Sequence, residues 1–401
     1  MALRGLRIPF RSSRRSCTAG VALAASLLAV TSAGATQAAG TACSPSTTIL
    51  ESPRPNSLEV QAKAINDRGD VVGFADSNNG SGAIHAILWK GGKAAGAVDL
   101  GVLPGYVASE AYGVNDRRVV FGLLYDKRER TIPFRWENGH MTVLRGPNGR
   151  ILYSENPGAG GRNAINSRGE MAWTMIVRGD RRAVRWTAAG KATFLPGLPG
   201  HAWTDAFSIN DDGVVSGWAR KLPNDDGAEN PVLWTRSGKV VPLRTAPGRA
   251  DGIAEATNQA GLTVGYLGNQ TDTDPESDQF AVWRTRTAEP QLMGPVRPNL
   301  IAEFVDVNDG GQAAGMTGKL NPKTGFVLTT AVIWQTGWAG VRPIAVPAAS
   351  RRANPFVVPG LNDINDRGTI VGNVYGLASK DYASLRRIDP VLWTCAFGRP
   401  R

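Results

Sequence analysis

The chain alternates short apolar runs with polar turns, and one ten-residue pattern keeps returning. Its first copy reads Ala64-Ile65-Asn66-Asp67-Arg68-Gly69-Asp70-Val71-Val72-Gly73, with apolar pairs on either side of a polar turn. Six more copies begin at Gly113, Ala164, Ser208, Ala256, Asp306 and Asp363. A period of roughly 45 to 55 residues belongs to propeller or solenoid arrays, in which each unit buries its apolar face against its neighbours. One position is the same in all copies: Asn66, Asn115, Asn166, Asn210, Asn258, Asn308 and Asn365. Three residues later stand Gly69, Gly169, Gly213, Gly261, Gly311 and Gly368, with Arg118 in the second copy. Asn first and Gly fourth predicts a type I turn with a G1 bulge, because Asn bonds nearby backbone and Gly accepts positive φ. Arg118 predicts another turn or mild strain.

Between the Asn turns a second landmark recurs, a short apolar strand ending in Trp89, Trp136, Trp186, Trp234, Trp283, Trp334 or Trp393. A further apolar segment follows, as in Thr193-Phe194-Leu195 or Val240-Val241-Pro242-Leu243. Four short strands per unit, with no helical periodicity between them, predict an all-β, seven-bladed β-propeller of four-stranded blades. The Trp side chains are read as packing between blades, and the Gly closing each second strand, for example Gly73 and Gly217, as a point of close backbone approach. Trp173 takes that Gly's place in the third copy, either as a packing filler or as an exposed aromatic platform.

The two ends of the chain decide between a ring and a linear solenoid. The seventh unit stops at Thr394-Cys395 without a fourth strand, and Thr47 to Pro53 reads as a fourth strand without a unit. Pairing them closes the ring with an N-terminal strand and removes two exposed edges.

Residues 1–38 carry five arginines and no acid in their first fifteen positions, then an apolar run from Val21 to Val30 and small residues near Ala35 and Ala38. That is the pattern of a secretory signal, too short for a membrane span. Arg14-Arg15 after Ser13 allows the twin-arginine export route, although Cys17 stands where an apolar residue is usual. Residues 39–60 then hold the closing strand, 61–395 the seven repeats and 396–401 a short tail. Cleavage takes the formal charge from +11 to +6 and leaves 34 acidic residues among the bases, a mixed surface that argues against nucleic acid. In an oxidising compartment Cys43 and Cys395 form a disulfide candidate, placed where blade seven lacks its last turn.

The repeated Ala-Ile-Asn-Asp-x-Gly-x-Val-Val-Gly, followed by His85-Ala86-Ile87-Leu88-Trp89, resembles the HAF repeat of extracellular bacterial proteins across about residues 60 to 395. The first unit keeps His and Ala with Ile87 for Phe, and the other six lack the His. The resemblance implies secretion and a repeated β-fold. It implies no chemistry.

The residues themselves offer no enzyme motif. His85, His140 and His201 fall at different places in the repeat, no Gly-x-Ser-x-Gly elbow or phosphate loop occurs, and neither a cofactor, a metal nor a catalytic residue is assigned. The repeated Asp67, Asp116, Asp211, Asp309 and Asp366 are read as turn structure, on the argument that they point to separate places while a site needs unlike residues converging once. Asp272 to Asp278 is read as a solvated loop without a tight calcium site. Length variation falls on the face carrying the second turns and the interblade links, where binding is expected. Arg178, Arg181, Arg182, Arg351, Arg352, Arg386 and Arg387 are the candidates there for carboxylated or sulfated groups, with Tyr153 and Tyr382 as aromatic surfaces. The expected protein is thus a secreted monomeric binding or interaction module for an anionic extracellular glycan or envelope polymer. The alternative is a glycosidase or polysaccharide lyase on the same scaffold, whose carboxylate pairs are invisible without geometry.

Overall fold

The computed structural model describes residues 48–77, 82–154, 164–221, 228–269, 278–295, 301–320, 327–347, 350, 357–377 and 385–395. Seven antiparallel sheets stand in a ring as a seven-bladed β-propeller. Blade 1 gives the plan, with strands Val60–Ile65, Val71–Ala75, His85–Trp89 and Ala97–Asp99 in up-and-down order. The first strand of each blade is innermost, since first strands of neighbouring blades touch around the axis. Blade 3 departs: among its described residues the inner strand is reduced to the bridge of Ile165 with Met171 and a bond from the Ala172 N–H to the Ala164 carbonyl.

Thr48–Ile49 closes the ring. It pairs with the third strand of blade 7, Leu385–Thr394, with Thr48 opposite Leu392 and Ile49 opposite Val391. The tryptophans confirm this role independently. Indole Nε1 of Trp186, Trp234 and Trp283 donates at 2.7 Å to the carbonyls of Arg145, Pro196 and Arg244, which lie just past the outer strand of the preceding blade. Trp89 donates at 2.7 Å to the carbonyl of Glu51, which follows Thr48–Ile49 in the same way. Burial thus leaves each indole N–H satisfied while its ring fills the space between blades. Two tryptophans differ: Trp334 bonds the Trp338 carbonyl of its own blade at 3.1 Å, and Trp136 is only half-buried.

Each Asn turn has the expected geometry. In blade 1 the Asn66 N–H donates to the Asp70 carbonyl and the Gly69 N–H to the Asn66 carbonyl, both at 3.0 Å, with Gly69 at φ 81°. Arg118 adopts the same left-handed conformation, at φ 60°, where a bulky residue is strained. Its guanidinium bonds the carboxylate of buried Asp70 across the blade boundary at 2.9 Å, which offsets that strain. The Asp70 carboxyl is desolvated, yet bonds from Arg118, the Gly91 N–H and Asn66 hold it below the usual range.

The Asn side chains do more than make turns. Each Oδ1 accepts the N–H four residues on, as from Asp70 to Asn66 at 2.7 Å and from Leu262 to Asn258 at 2.9 Å. Each Nδ2 donates to the backbone carbonyl of the Asn in the next blade, from Asn66 to Asn115 and so round to Asn365, which returns to Asn66 at 2.9 Å. An amide accepts on one side and donates on the other, whereas an ionised carboxylate only accepts, so Asp is not equivalent at this position.

Asn258→Ala orphans the buried Leu262 N–H in its own turn and removes one of two donors to the Asn308 carbonyl, which keeps the Gly311 N–H. The one unsatisfied N–H sets the loss at about 1 to 3 kcal/mol. Urea unfolding of the variant should show a lower midpoint at unchanged m-value, and Asn258→Asp should not restore it.

Candidate functional site: the central channel

Because the inner strand of every blade ends in the Asn turn, all seven turns meet at one mouth of the channel. They enclose a cavity of about 170 Å³. Its wall has a tier of mostly apolar residues such as Ile65, Val114 and Ile209, then the Asn tier, then Asp67, Asp116, Ser167, Asp211, Gln259, Asp309 and Asp366. The expectation that repeated carboxylates point to separate places is therefore corrected: the residue after each Asn stands beside the axis, and the copies converge. Several accept backbone N–H groups from the preceding blade, as Asp211 does from Ser167 and Asp366 from Asp309, each at 2.7 Å. These bonds make the acids part of the turn scaffold as well. Among the described residues no group of three or more His, Cys, Asp and Glu is arranged to hold a metal ion.

Farther along the axis the blades cease to be alike. Six inner strands break register at one place, between Ala62 and Ala64 in blade 1 and between Ala206 and Ser208 in blade 4, for example. The unpaired residues are Lys63, Tyr112, Phe207, Glu255, Val305 and Asn362. The register break is a β-bulge, a device that re-aims a side chain next to a site. Opposite it lies the recurrent Gly of the second strand: a Cβ on Gly217 would sit 1.9 Å from the Asp205 carbonyl. Close approach, the expected reason for this Gly, is thus the observed one. Two residues before each bulge stand Gln61, Glu110, Asp205, Ile253, Glu303 and Gly360. Of these, Lys63, Glu110, Tyr112, Phe207 and Asn362 are part-exposed and make a belt of unlike side chains on the inner strands, while Gln61, Asp205, Ile253, Glu255, Glu303 and Val305 are buried.

The belt is most connected between blades 1 and 2. Tyr112 donates to the Glu110 carboxyl, which also hydrogen-bonds Tyr125. Lys63 Nζ donates to Gln61 Oε1 at 2.8 Å and stands 5.9 Å from the Tyr112 ring centre. Gln61 in turn donates to Glu59 at 2.7 Å. Burial pushes the Glu110 carboxyl above the usual range, with Tyr112 and Lys63 pulling the other way, and burial also raises Glu59. Both phenols rise well above 10, from burial and from the adjacent Glu110. The cluster therefore offers a carboxyl ready to hold a proton, two neutral phenols and an ammonium. Trp173 anchors it: buried, 4.9 Å from Tyr112 and 5.3 Å from Phe121, it is a packing filler and not an exposed platform.

Three of the arginines singled out from sequence have described side chains, and their surroundings differ. Arg181 bonds Asp205 through Nε at 2.9 Å and through Nη2, its side chain only 22% exposed, so it is an interblade ion pair and not a free anion ligand. Burial pushes the Asp205 carboxyl up even against that guanidinium. Arg182 stacks on Phe194 at 4.7 Å, and Arg178 is exposed at a turn with φ 54°. One face of the half-exposed Tyr153 is covered by Arg130, 3.9 Å from its centre. Arg351, Arg352 and Tyr382, like the acidic stretch 272–277 and Cys43, lie outside the described residues, as do the side chains of Arg386 and Arg387.

No protein-family model matches the sequence, and no curated protein matches it. Solved structures do resemble it. An oligogalacturonate lyase in complex with manganese has a TM-score of 0.51 at 14% identity, over 89% of this chain and 95% of the lyase. The β-propeller domain of the Trilobed protease from Pyrococcus furiosus, described as having an open velcro topology, has a TM-score of 0.53 at 9% identity, over 85% and 94%. The likeness is one of fold. At such identities it carries no activity across.

Arg181→Ala would strand the buried Asp205 carboxylate, a loss of about 3 to 5 kcal/mol, whereas Arg178→Ala should stay within about 0.5 kcal/mol of the parent. Thermal or urea unfolding of the two variants tests the division between structural and surface arginines.

Proposed function

We propose that this chain is a secreted binding module of the HAF-repeat kind, without catalytic turnover, whose ligand is an extracellular glycan or envelope polymer engaged at the channel and its variable-loop rim. The belt of unlike residues carries this reading. Glu110, Tyr112, Lys63 and Asn362 supply hydrogen-bond donors and acceptors for hydroxyl groups, and Tyr112 and Phe207 supply rings, from one rigid inner wall. Exposed Arg178 on the rim favours an anionic polymer. Export and a Cys43–Cys395 bridge belong to the same reading. The bridge is supported by buried Cys395, which ends the strand on which Thr48 pairs with Leu392.

One observation favours the runner-up, a carbohydrate-active enzyme. Glu110 holds its proton more tightly than an ordinary carboxyl, as a general acid must.

A screen of the mature chain against anionic and neutral glycans tests both readings. Glu110→Gln should weaken binding about tenfold, the equivalent of one good hydrogen bond. Asp211→Asn at the opposite mouth should leave it unchanged, and Arg178→Ala should reduce its salt dependence, since exposed charges are screened over about 8 Å at physiological ionic strength. Loss of binding only in Asp211→Asn would sink the placement. Release of new chain ends from the polymer by the unmodified protein, abolished in Glu110→Gln, would establish the enzyme instead.

A further inference from the structure

The seam at which blades 6, 7 and 1 meet is built from carboxyl groups in contact with one another. Directly after the bulge, blades 1, 2, 4 and 5 carry Ala64, Gly113, Ser208 and Ala256, whereas blades 6 and 7 carry Asp306 and Asp363. Both acids are buried, and the Ile364 N–H lies between their carboxyls, donating to Asp363 Oδ1 at 2.8 Å and to Asp306 Oδ2 at 3.2 Å. Asp363 Oδ2 also accepts the Ile65 N–H of blade 1 at 2.8 Å. The pair therefore ties three blades together.

A second pair stands one tier outward, at the channel mouth. The Asp366 N–H donates to Asp67 Oδ1 at 2.7 Å and the Asp309 N–H donates to Asp366 Oδ1 at 2.7 Å, which draws the Asp67 and Asp366 carboxyls to one place on the channel mouth. An ionised carboxyl only accepts, so two such neighbours can bond each other only by sharing a proton.

We propose that this seam is a proton-operated latch, in which one proton within Asp306/Asp363 and one within Asp67/Asp366 hold blade 7 and the closing strand Thr48–Ile49 to blade 1. Losing either proton sets two negative charges against each other across the junction and loosens the ring there. The surroundings do not neutralise that charge. Asp309 and Asp116 face the outer pair, Arg68 is turned to the Asp116 carbonyl at 3.3 Å, and Arg367 is exposed. The amides of Asn362 and Asn373, which bond the Ala62 carbonyl, flank the inner pair.

Burial and the neighbouring carboxyls raise Asp363 well above the usual range, and they raise Asp366 to about 6 and Asp67 in the same direction. A carboxyl raised on folding binds more proton in the native than in the unfolded chain. Its contribution is complete below the unfolded value near 3.8 and is lost as pH rises through the folded value.

The test uses the full chain under reducing conditions, so that no covalent bond masks opening. Thermal unfolding between pH 4.5 and 8 should show Tm falling as pH rises through about 6, and amide exchange at Ile49, Leu50 and Ile65 should quicken beyond the intrinsic pH effect, relative to Val232 in blade 4. Asp366→Asn supplies a permanent donor at a solvent-facing position, so it should fold and should flatten the part of the fall near pH 6. Asp363→Asn should flatten the part at higher pH. A Tm that does not fall across this range, or a fall unchanged in Asp366→Asn, overturns the latch, whatever the outcome of the glycan experiments.

Discussion

The closed circle of Asn amides is the constraint on which the rest of the molecule depends. Each amide fixes its own turn through Oδ1 and the position of the next blade through Nδ2, so seven local turns become one ring. In the low-dielectric wall of the channel such bonds are expensive to leave unmade, and linked bonds reinforce each other. Angular spacing between blades is consequently set at the axis, by hydrogen bonds, while the indole-filled spaces farther out supply the apolar burial.

Along the axis, likeness and unlikeness of residues divide the labour. The Asn and Asp tiers are nearly the same in every blade and hold the ring; the tier at the bulge differs among the six blades in which it is described. The recurrent Gly makes both possible, since a Cβ there would strike the inner-strand carbonyl beside the bulge. Blade 3, with Trp173 in place of that Gly and a reduced described inner strand, is where the pattern gives way to packing.

The architecture was legible because its determinants are local: Asn and Gly at fixed separation, Trp at the end of a strand, an orphan strand at Thr48. The functional wall was not, because distance from the axis is a property of the assembled ring. The same Asp looks peripheral in a repeat and central once its strand proves innermost. A signal for the belt did exist. Gln61-Ala62-Lys63, Glu110-Ala111-Tyr112 and Asp205-Ala206-Phe207 align on a shared small residue with unlike neighbours. Reading such columns for difference, and not for repetition, would have found them. The pairing of Arg181 was hidden for a related reason: it has the sequence context of a surface residue, and only tertiary structure supplies its buried partner, Asp205.

The seven amide bonds are not equivalent in time. Six join residues 44 to 57 positions apart, whereas the bond from Asn365 back to Asn66 spans 299. Loop-closure entropy makes that last contact costlier by only about 1 to 2 kcal/mol. Its two halves nevertheless lie near opposite ends of the repeat array. Blades can therefore accrete one on another in chain order, each handed an amide by the one before, while the first and last wait unjoined. Until they meet, the half-built arc has two bare sheet edges, and those edges are the surface on which one copy of this chain can mistake another for itself.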